Sequence, residues 1–171
     1  MGFSSDFTVE KPTKFILALA PHTSNWDFII GLLYSYSEDF HCNFLIKKEW
    51  FFWPMGVLFR SMGGIPVERN RHVSLTDRVA EAAMKADRFE LAVTPEGTRS
   101  LATKWKRGFY FIALKAGLPI QLYAIDYKNK RIVCTKELVP SGDVEADMRL
   151  IMDYYRPYEG KYPGKFAVED I

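Results

Sequence analysis

The sequence predicts an α/β domain with a largely parallel sheet, and three observations carry that reading. Short, mainly apolar runs at 15–20 and 89–93 alternate with longer segments of helical spacing, the pattern of strands covered on both faces by crossover helices. The two segments richest in side chains suited to chemistry, 21–27 and 94–100, each follow directly on one of those runs. In open α/β sheets, sites form outside the carboxyl ends of strands, so both segments are expected to face one crevice.

The elements follow in order. Residues 1–14 are polar, with Pro12 near their end, and read as an N-terminal arm or short lead-in. The run 15–20 is the first buried strand. Thr23, Ser24 and Asn25 are all N-cap residue types, so a helix begins at about Trp26 and carries Phe28, Ile29, Leu32, Leu33 and Tyr36 on its apolar stripe. Residues 43–46 read as a second short strand. The stretch 49–62 holds Trp50, Phe51, Phe52, Trp53, Val57, Leu58 and Phe59, flanked by Lys47, Lys48 and Arg60. It is shorter than the ~18 residues a membrane span requires, and reads as a membrane or acyl-chain contact or as a helix buried in the core.

Residues 63–69 give a glycine turn, a short strand and a polar loop in which Arg69, Arg71 and His72 cluster. Ser74 is placed to cap a helix reaching Ala86, with Val79, Ala82, Ala83 and Ala86 inward, and 89–93 is the next buried strand. A helix over 109–115 stops at Gly117. Strands at 119–127 and 131–138, joined by Lys128-Asn129-Lys130, make an antiparallel hairpin at the C-terminal side, and 143–155 is a closing helix. The expected organisation is one domain over 1–171, with a motif-bearing core of about 15–127 and a C-terminal strand and helix over about 131–156.

Composition narrows the function classes. With 171 residues and 48% hydrophobic content, the chain can bury one full core and is too short for two. A net charge of +2 is far from the basic balance of a nucleic-acid binder, and no nucleic-acid partner is expected. The 15% aromatic content suits a core and equally a membrane interface. Cys42 and Cys134 are too few and too far apart for a disulfide framework or zinc site, which fits a reducing compartment. His41 beside Cys42 lacks a third ligand, so no metal is expected. No export signal, lipid anchor or membrane-spanning run is read, and any membrane contact is expected to be peripheral.

The stretch Pro21-His22-Thr23-Ser24-Asn25-Trp26-Asp27 sets the chemistry. Five helical steps would put His22 and Asp27 about 140° apart, so they can meet only if His22 precedes the helix and Asp27 sits in its first turn. There the positive end of the helix favours a carboxylate, and the imidazole can donate one ring N–H to it and keep the other nitrogen as a base. With three His and 21 acidic residues, such a pair arises by chance in roughly one sequence in three, so a second block is needed. Thr94-Pro95-Glu96-Gly97-Thr98-Arg99-Ser100 supplies it.

The order of these blocks resembles the glycerophospholipid acyltransferase family, typified by lysophosphatidic acid acyltransferase. Its His-x-x-x-x-Asp block is met by His22 to Asp27, its Gly-x-x-x-x-x-Arg block by Gly63 to Arg69, its Pro-Glu-Gly-Thr-Arg block by Pro95 to Arg99, and its apolar-Pro-apolar block by Leu118-Pro119-Ile120. The five-letter block alone arises by chance on the order of once in ten thousand sequences of this length. Thr94 departs from the bulky apolar residue usual in the family, and residues 1–14 leave no room for the family's N-terminal membrane hairpin.

The resemblance implies direct transfer of a fatty acyl group from acyl-CoA or acyl-carrier protein to a hydroxyl of a lyso-glycerophospholipid, most simply 1-acylglycerol-3-phosphate. His22 would be the general base and Asp27 its orienter, with no cofactor beyond the thioester co-substrate. Acceptor binding would fall to Arg69, Glu96, Gly97, Thr98 and Arg99, with Lys106 and Arg107 adding charge, since guanidinium forks fit phosphate. Glu96 either bonds the acceptor hydroxyl or holds Arg99, and backbone N–H groups at Glu96 and Gly97 are candidate oxyanion donors. Trp50, Phe51, Phe52 and Trp53 would contact an acyl chain or a membrane. A peripheral protein on the inner face of the cell membrane is implied. The alternatives are the same chemistry on a phosphate-free lipid such as an aminolipid, a hydrolase passing acyl groups to water, and a non-catalytic lipid- or membrane-binding module.

Overall fold

A computed structural model describes residues 2–38, 42–67 and 74–168. Among them seven strands form one sheet in the order β1-β7-β6-β2-β5-β3-β4. The strands are β1 Ser4–Phe7, β2 Lys14–Leu19, β3 Asn43–Lys47, β4 Gly64–Val67, β5 Phe89–Val93, β6 Ile120–Asp126 and β7 Arg131–Leu138. Every pairing is parallel except β6 with β7, which are antiparallel. The helices are α1 Asn25–Ser37, α2 Met55–Ser61, α3 Leu75–Lys85, α4 Gly108–Ala116 and α5 Val144–Tyr155. The expected α/β class and C-terminal hairpin are therefore present.

Alternation along β2 shows how the two faces are built. Ile16 and Ala18 point to one side, where they join Leu91, Ile120 and Leu122 under α3, α4 and α5. Phe15 and Leu17 point to the other, with Tyr123, Ile125 and Ile132, and there the buried helix residue is Ile30 of α1. Each large apolar side chain so buried contributes about 1.5–3 kcal/mol, and three helices pack the first face while α1 covers the second. The second face thus has room for a cavity.

Two local expectations need correction. Residues 1–14 are not merely an arm: β1 pairs in parallel with β7, and Gln121 Nε2 donates to Glu10 O at 2.7 Å. Pairing of its backbone, not hydrophobic alternation, makes β1 a strand, and it covers an edge of β7 that would otherwise be open. Ser74 stands at the start of α3 but makes no side-chain capping bond. Gly117 ends α4 with φ 64°, the left-handed conformation that glycine adopts without strain.

The stretch 49–62 is not a core helix. Lys48–Trp50 form a 3₁₀ turn and α2 starts only at Met55, while Trp50 and Phe52 are exposed and Trp53 is 85% exposed. Phe51 alone of the four turns inward, packing edge-on against Phe59 at 5.9 Å beneath the Arg60 guanidinium. Among the described residues no helix is long and apolar enough to cross a membrane.

Candidate active site

The loop after β2 places His22 and the first turn of α1 places Asp27. Tyr155 Oη donates to Ala18 O at 2.5 Å, fixing the end of the strand, and the Ala20–Pro21 bond is cis. Ser24 is the residue that caps α1: its Oγ accepts from Trp26 N at 3.1 Å. Asp27 reaches back with Oδ2 to accept from Thr23 N and Ser24 N, both at 2.8 Å, closing a capping box. Its other oxygen, Oδ1, accepts from Tyr127 Oη at 2.7 Å. Burial pushes the Asp27 carboxyl up, but contacts with His22, Tyr127, Ser24 and Thr23 outweigh it and hold the group below its usual value. A fully buried carboxylate therefore stays charged.

His22 Nδ1 lies 3.3 Å from Asp27 Oδ2. The pair is within ion-pair distance but not aligned as a hydrogen bond, and Nδ1 has no other partner among the described residues. Catalytic hydrogen bonds are often this loose before substrate binds. With Nδ1 turned to the carboxylate, Nε2 is the ring nitrogen left for chemistry.

A third group locks the loop from behind. Glu96, past the end of the adjacent strand β5, accepts from His22 N through Oε1 at 2.7 Å, and it is 2% exposed with Oε2 unpartnered among the described residues. Burial pushes its carboxyl up to about 7, against the His22 N–H and imidazole, which lower it; the Asp27 charge raises it slightly. The native state thus keeps this proton longer than the unfolded chain, whose carboxyl titrates near 4.5. Glu96 favours folding below pH 4.5, and that contribution is lost as pH rises to about 7. Glu96→Gln should therefore gain stability on the wild type between those pH values, by up to about 3 kcal/mol, and hold a constant gap above them. Paired thermal melts from acid to pH 8 check this, and a gap independent of pH would contradict it.

A cavity of about 690 Å³ runs between α1 and the second face of the sheet. Leu17, Leu32, Phe44, Ile46, Tyr123 and Ile125 are among its walls, and His22, Asp27, Thr94 and Arg99 bound it at the carboxyl ends of the strands. A largely apolar space thus meets an imidazole, a buried carboxylate and the Arg99 guanidinium.

A family model described as Acyltransferase matches residues 8–126 of this chain. The chain belongs to the acyltransferase family. No curated protein matches it. The match contains β2, α1 and β5, and with them His22, Asp27 and Glu96.

Within this acyltransferase, the 94–100 block is built differently from expectation in two respects. Gly97 N donates to Thr94 O at 3.0 Å, so its N–H closes the turn and is not free to serve an oxyanion. Its φ of +67° and the 2.9 Å that would separate a Cβ from Lys106 Cγ explain why glycine stands there. Lys106 itself packs on that turn, donating its backbone N–H to Pro95 O at 2.7 Å, and does not line the cavity. Secondly, Glu96 bonds the His22 backbone and makes no bond to Arg99 among the described residues. Arg99 is exposed and lines the cavity, whereas Thr98 does not line it, and its Oγ1 accepts from Ser100 N at 3.2 Å.

Arg69, His41 and His72 lie outside the described residues. None of Trp50, Phe51, Phe52 and Trp53 lines the cavity; the aromatic from that stretch which does is Phe59. Sequence reasoning also missed the brace behind the loop, which lies beyond the residues matched by the acyltransferase model. Tyr162 N donates to Thr23 Oγ1 at 3.2 Å, and a Cβ on Gly160 would stand 2.8 Å from the same side chain. Lys161 Nζ lies 4.8 Å from the Trp26 ring centre.

Proposed function

We propose that this acyltransferase moves a fatty acyl group from acyl-CoA or acyl-carrier protein to a hydroxyl of a lyso-glycerophospholipid, with 1-acylglycerol-3-phosphate as the acceptor. The observation that carries the reading is the meeting of the apolar cavity with His22 and Arg99. An acyl chain fits the former, and a guanidinium at its polar end suits a phosphate.

In the reaction, His22 Nε2 takes the proton of the acceptor hydroxyl as its oxygen attacks the thioester carbonyl. The tetrahedral adduct collapses, the C–S bond breaks, and the imidazolium returns the proton to the leaving thiolate. Asp27 stabilises the imidazolium and fixes the ring tautomer. A covalent acyl-enzyme is disfavoured: neither Ser24 nor Ser100 sits in a Gly-x-Ser-x-Gly elbow, the Ser24 Oγ accepts from Trp26 N in the helix cap, and burial pushes the Cys42 thiol up to about 12, leaving little thiolate.

The protein acts peripherally on the inner face of the cell membrane. Trp50, Phe52, Trp53, Val57 and Leu58, with Phe28, Ile29 and Leu33 of α1, are exposed on elements that adjoin or wall the cavity. An apolar surface of this kind flanked by Lys48 and Arg60 suits an anionic lipid interface, from which a lysolipid can enter.

Arg99→Ala tests the acceptor. The KM for 1-acylglycerol-3-phosphate should rise about tenfold or more with kcat little changed, while a phosphate-free lipid acceptor shows no such difference. An unchanged KM for the phosphate acceptor, with efficient transfer to the phosphate-free lipid, would move the substrate to the aminolipid class.

A further inference from the structure

We infer that Tyr127 is a positioning residue of the acyl-transfer site: its hydroxyl holds Asp27 Oδ1, and so keeps Oδ2 turned toward His22. The inference rests on the reading of His22 and Asp27 as base and orienter. The division of partners between the two carboxylate oxygens carries it. Oδ2 serves Thr23 N and Ser24 N at 2.8 Å and faces His22 Nδ1 at 3.3 Å. Oδ1 has the Tyr127 hydroxyl, at 2.7 Å, as its partner among the described residues.

Capping of α1 is already complete through Oδ2, so the Tyr127 bond adds nothing to the helix start. It sets the rotation of the carboxylate about its Cβ–Cγ bond, on which the direction of Oδ2 depends. Without this donor Oδ1 would be a buried carboxylate oxygen with no hydrogen bond among the described residues, and the carboxylate would lose one of the two ends that fix its rotation.

Tyr127 is itself held in place. Its N–H donates to Glu159 O at 2.9 Å, and its ring meets Phe3 edge-on at 5.5 Å between centres. Burial, then the Asp27 contact, raises the phenol above its usual range, so it remains a donor throughout the working pH range. The titratable groups around the pair are His22 after β2, Glu96 after β5 and Tyr162 in the C-terminal tail. Tyr127 lies 100 residues from Asp27 and just past the stretch matched by the family model. The site is therefore completed by a residue outside the blocks that identify the family.

Tyr127→Phe keeps the ring and removes the hydrogen bond. In the full-length protein, kcat for acyl transfer should fall about tenfold with both KM values unchanged. In parallel, carbon-13 titration of the Asp27 carboxyl should move upward and the His22 ring nitrogens should change resonance. These two readouts would not respond to loosened packing alone. Wild-type kcat in the variant, or a lowered kcat with the Asp27 and His22 signals unmoved, would overturn the inference. If the wild type transfers to no acceptor yet the variant shifts the Asp27 titration, the hold of Tyr127 on Asp27 is supported and the proposed function is what falls.

Discussion

His22→Ala should lower acyl transfer by about 10²–10⁴-fold, the usual contribution of a positioned base, while the melting transition stays within about 1 kcal/mol of the wild type. The separation is expected because the anchoring bond at this position, to Glu96 Oε1, comes from the backbone N–H and survives the substitution. The lost side chain is 15% exposed, and the ion pair it gives up among the described residues, to Asp27 at 3.3 Å, is loose. Activity assays beside thermal melts check the pair of outcomes. A variant that lost activity only in proportion to its unfolding would point to a structural role.

Asp27 should show the opposite balance. Asp27→Ala leaves Thr23 N, Ser24 N and Tyr127 Oη without their acceptor in a fully buried place, and should cost about 2–4 kcal/mol of stability as well as activity. Asp27→Asn separates the two effects. Its amide oxygen can still accept from the two backbone N–H groups and its NH₂ can face the Tyr127 oxygen, so most of the stability remains. The charge facing His22 is gone, and the rate should fall about 10²-fold or more. The sign with pH follows from the direction of the shift. The Asp27 carboxyl is held below its ordinary value of 3.8, so its contribution is present above that pH and is lost as pH falls through the lowered value. Acid melts of Asp27→Asn should accordingly be flatter than those of the wild type.

The site was legible in the sequence where its logic is local. The spacing of His22 and Asp27 forces a loop followed by a helix start, and that is what β2 and α1 provide. Which of Thr23, Ser24 and Asn25 caps the helix was not legible, because all three are cap types. A distant contact decides part of it, since the Thr23 hydroxyl is occupied by Tyr162 N. The Glu96 bond depends on β2 lying beside β5, and no residue in either strand announces its neighbour. Tyr127 joins Asp27 across 100 residues with no local signal at all. β1 was illegible for another reason: Ser4-Ser5-Asp6-Phe7 has no apolar alternation, and its strand exists because β7 offers an edge. For 49–62 the composition favoured a membrane or acyl contact and left a buried helix open, and the 85% exposure of Trp53 removes the buried one.

The most direct test is transfer from labelled acyl-CoA to 1-acylglycerol-3-phosphate by the wild type and by His22→Ala, with free fatty acid measured in the absence of acceptor. The wild type should form the diacyl product and release little fatty acid without acceptor, and the variant should form almost none. Undiminished transfer by His22→Ala, or fatty acid release that does not need an acceptor, would contradict direct transfer by the His22 and Asp27 pair.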